Sequence, residues 1–363
     1  MSKRTNTATW IAARNRWQIN VQKDGRRKTF TSSTPGRTGQ REANAKADAW
    51  LSDSINPSSA RVGEVLDDFL DKIKKTTSYS NWRKEKSNCE NYIRPALANK
   101  KVASLSEYDL QDIIDGAYKK RGKNGKERVL SKKTLQCIRY TITSFVKHCR
   151  KKKLTTLIPE LEIPKSARNK GKKILQPEDI KILFSVDTTV MYGKRVFDDF
   201  IFAYRFAVTT GFRPGELRGI RKENIVDDAI HTSRSINIYD EITEGKNENA
   251  VRCVKLSKMS LDILHAQLQL KPDSKYVFDI SSTAYFRRRW QRYCEANGIT
   301  VTTPYELRHT FVSIAKALPE GQVKQIVGHS RNMDTYGVYG HEMTGEAEKT
   351  AEDLNKIFDG LIK

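Results

Sequence analysis

The sequence predicts a multidomain chain, mainly α-helical with small β elements, and three observations carry that reading. Its 363 residues are enough for two or three units, each with its own core. Apolar residues alternate at period two near the front and again around residues 230–256, and recur at helical spacing through most of the rest. The charge is divided unevenly: residues 1–160 hold 35 Lys and Arg against 16 Asp and Glu, whereas residues 161–363 hold 31 against 27. Most of the net charge of +23 therefore lies in the first part, which suits a polyanion-binding front end joined to a more ordinary globular unit.

Residues 1–55 read as a small sheet covered by a helix. Trp10 and Ile11, then Trp17, Ile19 and Val21 at period two, then Thr29 and Phe30, mark three short strands, with Asp24-Gly25 as the turn between the second and third. Ala43, Ala47, Trp50 and Leu51 follow at helical spacing and give one face to pack on that sheet. Arg14, Arg16, Lys23, Arg26, Arg27 and Lys28 cluster around the strands as candidate phosphate contacts. Asn56-Pro57-Ser58-Ser59 reads as a linker.

Residues 61–155 read as a helical bundle. Val62, Val65, Leu66, Phe69, Leu70 and Ile73 line its first helix, and Leu135, Ile138, Ile142, Phe145 and Val146 its last. Between them residues 119–128 form a glycine-broken basic loop, in which Lys119, Lys120, Arg121 and Lys123 are expected to meet phosphate. Residues 150–153 and 164–173 bound a basic interdomain linker. From Ile174 onward the pattern is mostly helical, interrupted by a hairpin at 230–256 with Ile236 and Ile238 on one strand and Val251, Cys253 and Val254 on the other. A short amphipathic helix carrying Leu354, Ile357, Phe358 and Leu361 closes the pattern.

Five cysteines (Cys89, Cys137, Cys149, Cys253, Cys294) are widely spread without paired metal-ligand spacing, so they are expected to be buried thiols in a reducing cytoplasm, with no metal or cofactor. No apolar run approaches the roughly 20 residues that span a bilayer, and MSKRTNTATW lacks a signal-peptide apolar core. The expectation is a soluble protein with no membrane partner.

Three segments carry the chemistry: TTGFRPGELRGI at 209–220, TPYELRHTF at 303–311 and VGHSRNMDTYGVYGH at 327–341. Their order and spacing resemble the signature of the tyrosine recombinases, the phage-integrase family of site-specific DNA recombinases. The resemblance is strict over residues 174–342 and holds at the level of domain type before that. It implies an arm-type DNA-binding domain at 1–55, a helical core-binding domain at 61–155 and a catalytic domain at 174–363 whose last helix packs in trans on a neighbouring protomer. It also implies the reaction, in which a tyrosine hydroxyl attacks a DNA phosphodiester, passes through a covalent 3′-phosphotyrosyl intermediate and resolves a Holliday junction. The partners implied are double-stranded DNA attachment sites, a homotetramer on DNA and an accessory DNA-bending or directionality factor, in the cytoplasm of a bacterial host.

By this resemblance Arg213 and Arg308 clamp the scissile phosphate, a role that suits guanidinium because it is permanently charged and grips oxygens bidentately. Glu216, one helical turn from Arg213, orients it. Lys246, within GKNENAVRCVKLS at 245–257, supplies the proton to the leaving 5′-oxygen, although Lys255 and Lys258 lie nearby. His329 donates to the phosphate. Tyr305 departs from the pattern, because the residue three before the second arginine is usually histidine; a phenol donates to phosphate but is a poor base near neutral pH. The nucleophile is Tyr339, ten residues after His329 and followed by Gly340-His341; Tyr336 stands too close. A non-catalytic DNA-binding regulator and a type IB topoisomerase-like enzyme are the alternatives. A metal-dependent nuclease would need a carboxylate cluster that the sequence does not offer.

Overall fold

A computed structural model describes residues 4–23, 26–52, 59–121, 127–169, 171–243, 251–328 and 345–363. The chain divides into two compact units, residues 1–170 and 171–363. The expected mainly helical architecture with small sheets is what the structure shows.

At the front, β1 (Thr9–Ile11), β2 (Arg16–Lys23) and β3 (Arg26–Ser32) form an antiparallel sheet in sequence order, and α1 (Gly36–Ser52) packs on it. Strand alternation decides the faces. Ile19 and Val21 turn toward Ala43, Ala47 and Leu51 in a small buried cluster, while Gln18, Asn20 and Gln22 take the helix-free face. Asp24-Gly25, the expected turn, lies outside the described residues.

The bundle is α2 (Val62–Thr76), α3 (Tyr79–Asn88), a π-helical turn at Cys89–Ile93 leading into α4 (Arg94–Leu97), α5 (Glu107–Tyr118) and α6 (Lys132–Lys151). Val65, Leu66, Phe69, Ile138, Ile142 and Phe145 from its first and last helices meet in one core, as their spacing requires. Two expectations need correction here. The basic loop is flanked by paired strands, β4 (Lys119–Arg121) and β5 (Glu127–Val129), so its described ends are a hairpin. The segment after α6 is no free linker, because Leu154, Leu161 and Ala167 are buried in the bundle core. Pro159 and Pro164 keep it from becoming helical, and its backbone is satisfied instead by side chains: Glu160 N donates to Glu107 Oε2 (2.7 Å) and Glu162 N to Gln111 Oε1 (2.9 Å).

The second unit contains α7 (Pro177–Ser185), the hairpin β6 (Thr188–Met191) and β7 (Lys194–Phe197), α8 (Ile201–Thr210) and α9 (Pro214–Gly219). Next come β8 (Ile225–Val226), β9 (Ala229–Thr232), β10 (Ser235–Ile236), β11 (Ile242–Thr243) and β12 (Arg252–Lys255). The helices α10 (Lys258–Leu270), α11 (Thr283–Asn297), α12 (Pro304–Ile314), α13 (Glu320–Val327) and α14 (Glu346–Ile362) complete it. Tyr204, Phe206, Phe212, Phe286, Trp290 and Tyr293 form the aromatic centre of its core.

The single hairpin expected at 230–256 is two pairings among the described residues: β9 joins β8 and β12 in one antiparallel sheet, and β10 pairs with β11. Ile236 is buried, but Ile238 lies in the turn between β10 and β11 and is 67% exposed. Cys253 is also exposed, contrary to expectation, because Val254 takes the inward register of β12 opposite Ile230. The other cysteines are free; Cys89, Cys149 and Cys294 are buried and Cys137 is half-buried. Among the described residues no helix is long and apolar enough to cross a membrane.

In this single chain α14 packs on its own unit. Leu354 and Phe358 join Phe311, Ala315, Val323 and Val327 in a buried cluster, while Ile357 and Leu361 remain half-buried.

Candidate functional site

Both candidate arginines are presented by helix starts of the same design. Arg213 is the N-cap of α9, Pro214 occupies its first turn, where a missing N–H costs nothing, and Glu216 at the third helical position reaches back to accept from Arg213 N at 2.9 Å. Thr303, Pro304 and Glu306 repeat this at α12, with Thr303 N donating to Glu306 Oε2 at 2.7 Å. Arg308 then follows within the first turns of α12. Gly215 has its own reason: a Cβ there would stand 2.5 Å from Ser235 Oγ and 2.9 Å from Ile236 O, so only glycine lets β10 approach α9 this closely.

The two guanidiniums meet at the end of α13. Arg308, 2% exposed, donates from Nη1 to Gly211 O at 2.8 Å and from Nη2 to Val327 O at 2.6 Å. Arg213, half-buried, donates from Nη1 to Glu216 Oε1 at 2.6 Å and from Nη2 to Gly328 O at 3.0 Å. Gly211 and Gly328 follow the last turns of α8 and α13 with φ of +68° and +61°, so the carbonyls that hold the arginines are helix C-terminal ones, where positive charge is favoured. A guanidinium carries five N–H groups, so donors remain on both for a phosphate.

Burial, with Arg213 beside it, pushes Arg308 down to about 10, which leaves it charged at neutral pH. Burial raises the Glu216 carboxyl, but the bonds and charge of Arg252 and Arg213 outweigh this and hold it below its usual range, ionised. The cluster thus keeps three arginines around one carboxylate, and its surplus positive charge suits a phosphate.

Tyr305, on the outer side of α12, is 44% exposed, and its ring meets that of His309 edge-on at 5.4 Å. Burial, with Lys172 nearby, lowers the His309 imidazole below its ordinary value. Lys246, His329, Tyr336 and Tyr339 lie outside the described residues. Sequence reading missed Arg252, which binds the same Glu216; only the basic residue opening the strand after Lys246 hinted at it.

The candidate DNA contacts divide by face. Arg16 and Arg27 share the helix-free face of the front sheet with Gln18, Asn20 and Thr29; Arg27, Gln18 and Asn20 line a polar groove, and Arg14 is exposed in the turn after β1. Lys28 instead lies over Phe30 (5.2 Å) and Trp50 (5.9 Å) on the helix side. Lys119 is exposed on β4. The side chains of Lys23, Arg26, Lys120 and Arg121, and the whole of Lys123, lie outside the described residues.

The helical unit defines a tyrosine recombinase, a site-specific enzyme that transfers DNA strands. Residues 173–346 match the phage integrase family and residues 62–117 the N-terminal SAM-like domain of phage integrases, and the chain belongs to that family. Over 415 aligned positions it is 22% identical to a tyrosine recombinase XerC-like protein of Caldanaerobacter subterraneus subsp. tengcongensis, with 99% of this chain and 100% of that one covered. The Tn1549 transposon integrase in complex with a circular intermediate DNA shares the fold at a TM-score of 0.62 and 16% identity, covering 82% of this chain and 100% of its own. The lambda integrase tetramer bound to a Holliday junction shares it at 0.56 and 14%, covering 92% and 98%.

Proposed function

We propose that this recombinase cuts and rejoins attachment-site DNA of a mobile element through a covalent 3′-phosphotyrosyl link to Tyr339. The Tyr339 oxygen attacks the phosphorus as its phenol proton passes to solvent, the bond to the 5′-oxygen breaks, and Lys246 protonates that leaving oxygen. In the second step the 5′-hydroxyl of a partner strand attacks the phosphotyrosine and restores the phosphodiester. Arg213, Arg308 and His329 neutralise the charge that grows on the nonbridging oxygens, and Tyr305 stands in for the usual histidine as a donor. The observation that carries this is the convergence of Arg213 and Arg308, from helices 95 residues apart in the sequence, on the adjacent carbonyls of Val327 and Gly328, directly before the segment that holds His329 and Tyr339.

The front sheet binds arm-type sites through Arg16 and Arg27, the bundle binds the core site, and four protomers assemble on the DNA. Binding gels run beside single-turnover cleavage test the clamp. Arg213→Ala and Arg308→Ala should each slow cleavage at least about 100-fold while retaining site binding, because most of the excess charge lies in residues 1–160. Equal loss of both would make the arginines general DNA contacts.

A further inference from the structure

A third arginine closes on the end of α13, and each of the three takes a different carbonyl. Arg252 Nε donates to Ile326 O at 2.7 Å, Arg308 Nη2 to Val327 O at 2.6 Å and Arg213 Nη2 to Gly328 O at 3.0 Å. Arg252 enters from β12, its side chain 8% exposed and its guanidinium 5.3 Å from the centre of the Phe212 ring. Its Nη1 and Nη2 face Glu216 Oε1 and Oε2 at 3.2 and 3.1 Å, fork against fork. The same two oxygens accept from Arg213 Nη1 and Arg213 N. Every described bond that fixes the Arg213 guanidinium therefore ends on a group Arg252 also steadies: the Glu216 carboxylate, or the carbonyl run that begins at Ile326.

We propose that Arg252 is a positioning residue for strand transfer: it locks Glu216 and the end of α13 together, so that Arg213 and Arg308 are aimed before DNA arrives and the chain enters His329 from a fixed point. All three of its side-chain nitrogens already have protein acceptors and the side chain is 8% exposed, so the role assigned to it runs through Glu216 and α13. A simple structural role would give no particular pH dependence; this one does. Among the described residues the charged groups facing Glu216 are Arg213, Arg252 and Arg308, with the Tyr305 phenol beside Arg308. Without Arg252, the desolvation of the buried carboxyl is opposed mainly by Arg213, so Glu216 takes up a proton at higher pH. Its ionised form is the one that holds Arg213, so activity is lost as pH falls, and the loss begins nearer neutrality in the variant.

The proposal rests on the strand-transfer reading above. Full-length wild type, Arg252→Gln, Arg252→Lys, Glu216→Gln and the double variant R252Q/E216Q are compared in single-turnover cleavage from about pH 5 to about pH 8.5. Arg252→Gln should cut about 10- to 100-fold more slowly at neutral pH, with site binding within about threefold of wild type and the acid limb of its profile moved up. Arg252→Lys should recover part of the rate and most of the profile. The double variant should be no slower than Glu216→Gln. An Arg252→Gln rate equal to wild type, lowered by one factor at every pH, or additive with Glu216→Gln overturns the positioning role. Thermal melts of the same proteins without DNA read the coupling between the two residues apart from catalysis, and its absence also overturns the role. Failure of the wild type to cleave counts against the strand-transfer reading alone.

Discussion

Replacing Gly211 with alanine tests how tightly the backbone of the first motif is tied to the second arginine. Gly211 ends α8 with φ +68°, in the region that L side chains enter only at a cost of about 1–2 kcal/mol. A Cβ there would stand 2.5 Å from Phe311 Cδ1 and 3.0 Å from Phe311 Cγ, and Phe311 is fully buried and has no room to retreat. Overpacking of this kind costs about 1–3 kcal/mol, so Gly211→Ala should lose about 2–5 kcal/mol in all. For a domain the size of the second unit, each kcal/mol lowers Tm by about 2–4 °C, giving a fall of roughly 4–20 °C. The carbonyl of Gly211 accepts from Arg308 Nη1 at 2.8 Å, so any shift that relieves the clash moves the second arginine too. Calorimetry gives the Tm, and cleavage measured where the variant is still folded should remain slower than wild type. A Gly211→Ala protein that melts within about 1 °C of wild type and cleaves at the wild-type rate would refute the link between this turn and the site.

Three further outcomes follow from the packing and the charge. Phe358 is fully buried in its own unit, so Phe358→Ala should cost about 3–5 kcal/mol in urea unfolding, and removing residues 350–363 should destabilise the unit as well as any tetramer; a truncated protein with an unchanged midpoint would show that α14 is not held in cis in solution. Footprints of the full chain and of residues 56–363 should differ at arm-type sites, since Arg16 and Arg27 lie on the open sheet face; identical footprints would reduce the front sheet to a nonspecific charge patch.

What was legible in the sequence depended on how local the determinant is. The front sheet was readable because its alternation, its turn and the helix that covers it lie within 50 residues of one another. The two arginines were readable because Pro and Glu at fixed positions of a helix start announce how each is presented. The β6–β7 hairpin was not, since its turn is Tyr192-Gly193 with φ of +50° and +75°, and tyrosine is a weak signal for that conformation. Residues 154–169 looked like a linker because their basic, proline-containing composition hides the fact that Glu107 and Gln111, more than 50 positions earlier, satisfy their backbone. Arg252 escaped for the same reason: its carboxylate partner is 36 positions away and its carbonyl partner 74. The trans docking of α14 is implied by resemblance alone; in the single chain its apolar face rests on Phe311 and Val327.

The most direct test of the account is the identity of the residue that becomes attached to DNA. Full-length protein is incubated with a nicked duplex carrying the attachment site in EDTA, the covalent product is digested, and the peptide that carries nucleotide is sequenced by mass spectrometry. The account predicts a single modified peptide linked through Tyr339 to a 3′-phosphate, formed by the wild type and by Tyr336→Phe and absent from Tyr339→Phe. A link through Tyr336 would contradict the assignment of the nucleophile. No adduct from any of the three proteins, on DNA that they bind, would contradict strand transfer itself and favour a regulator that only binds.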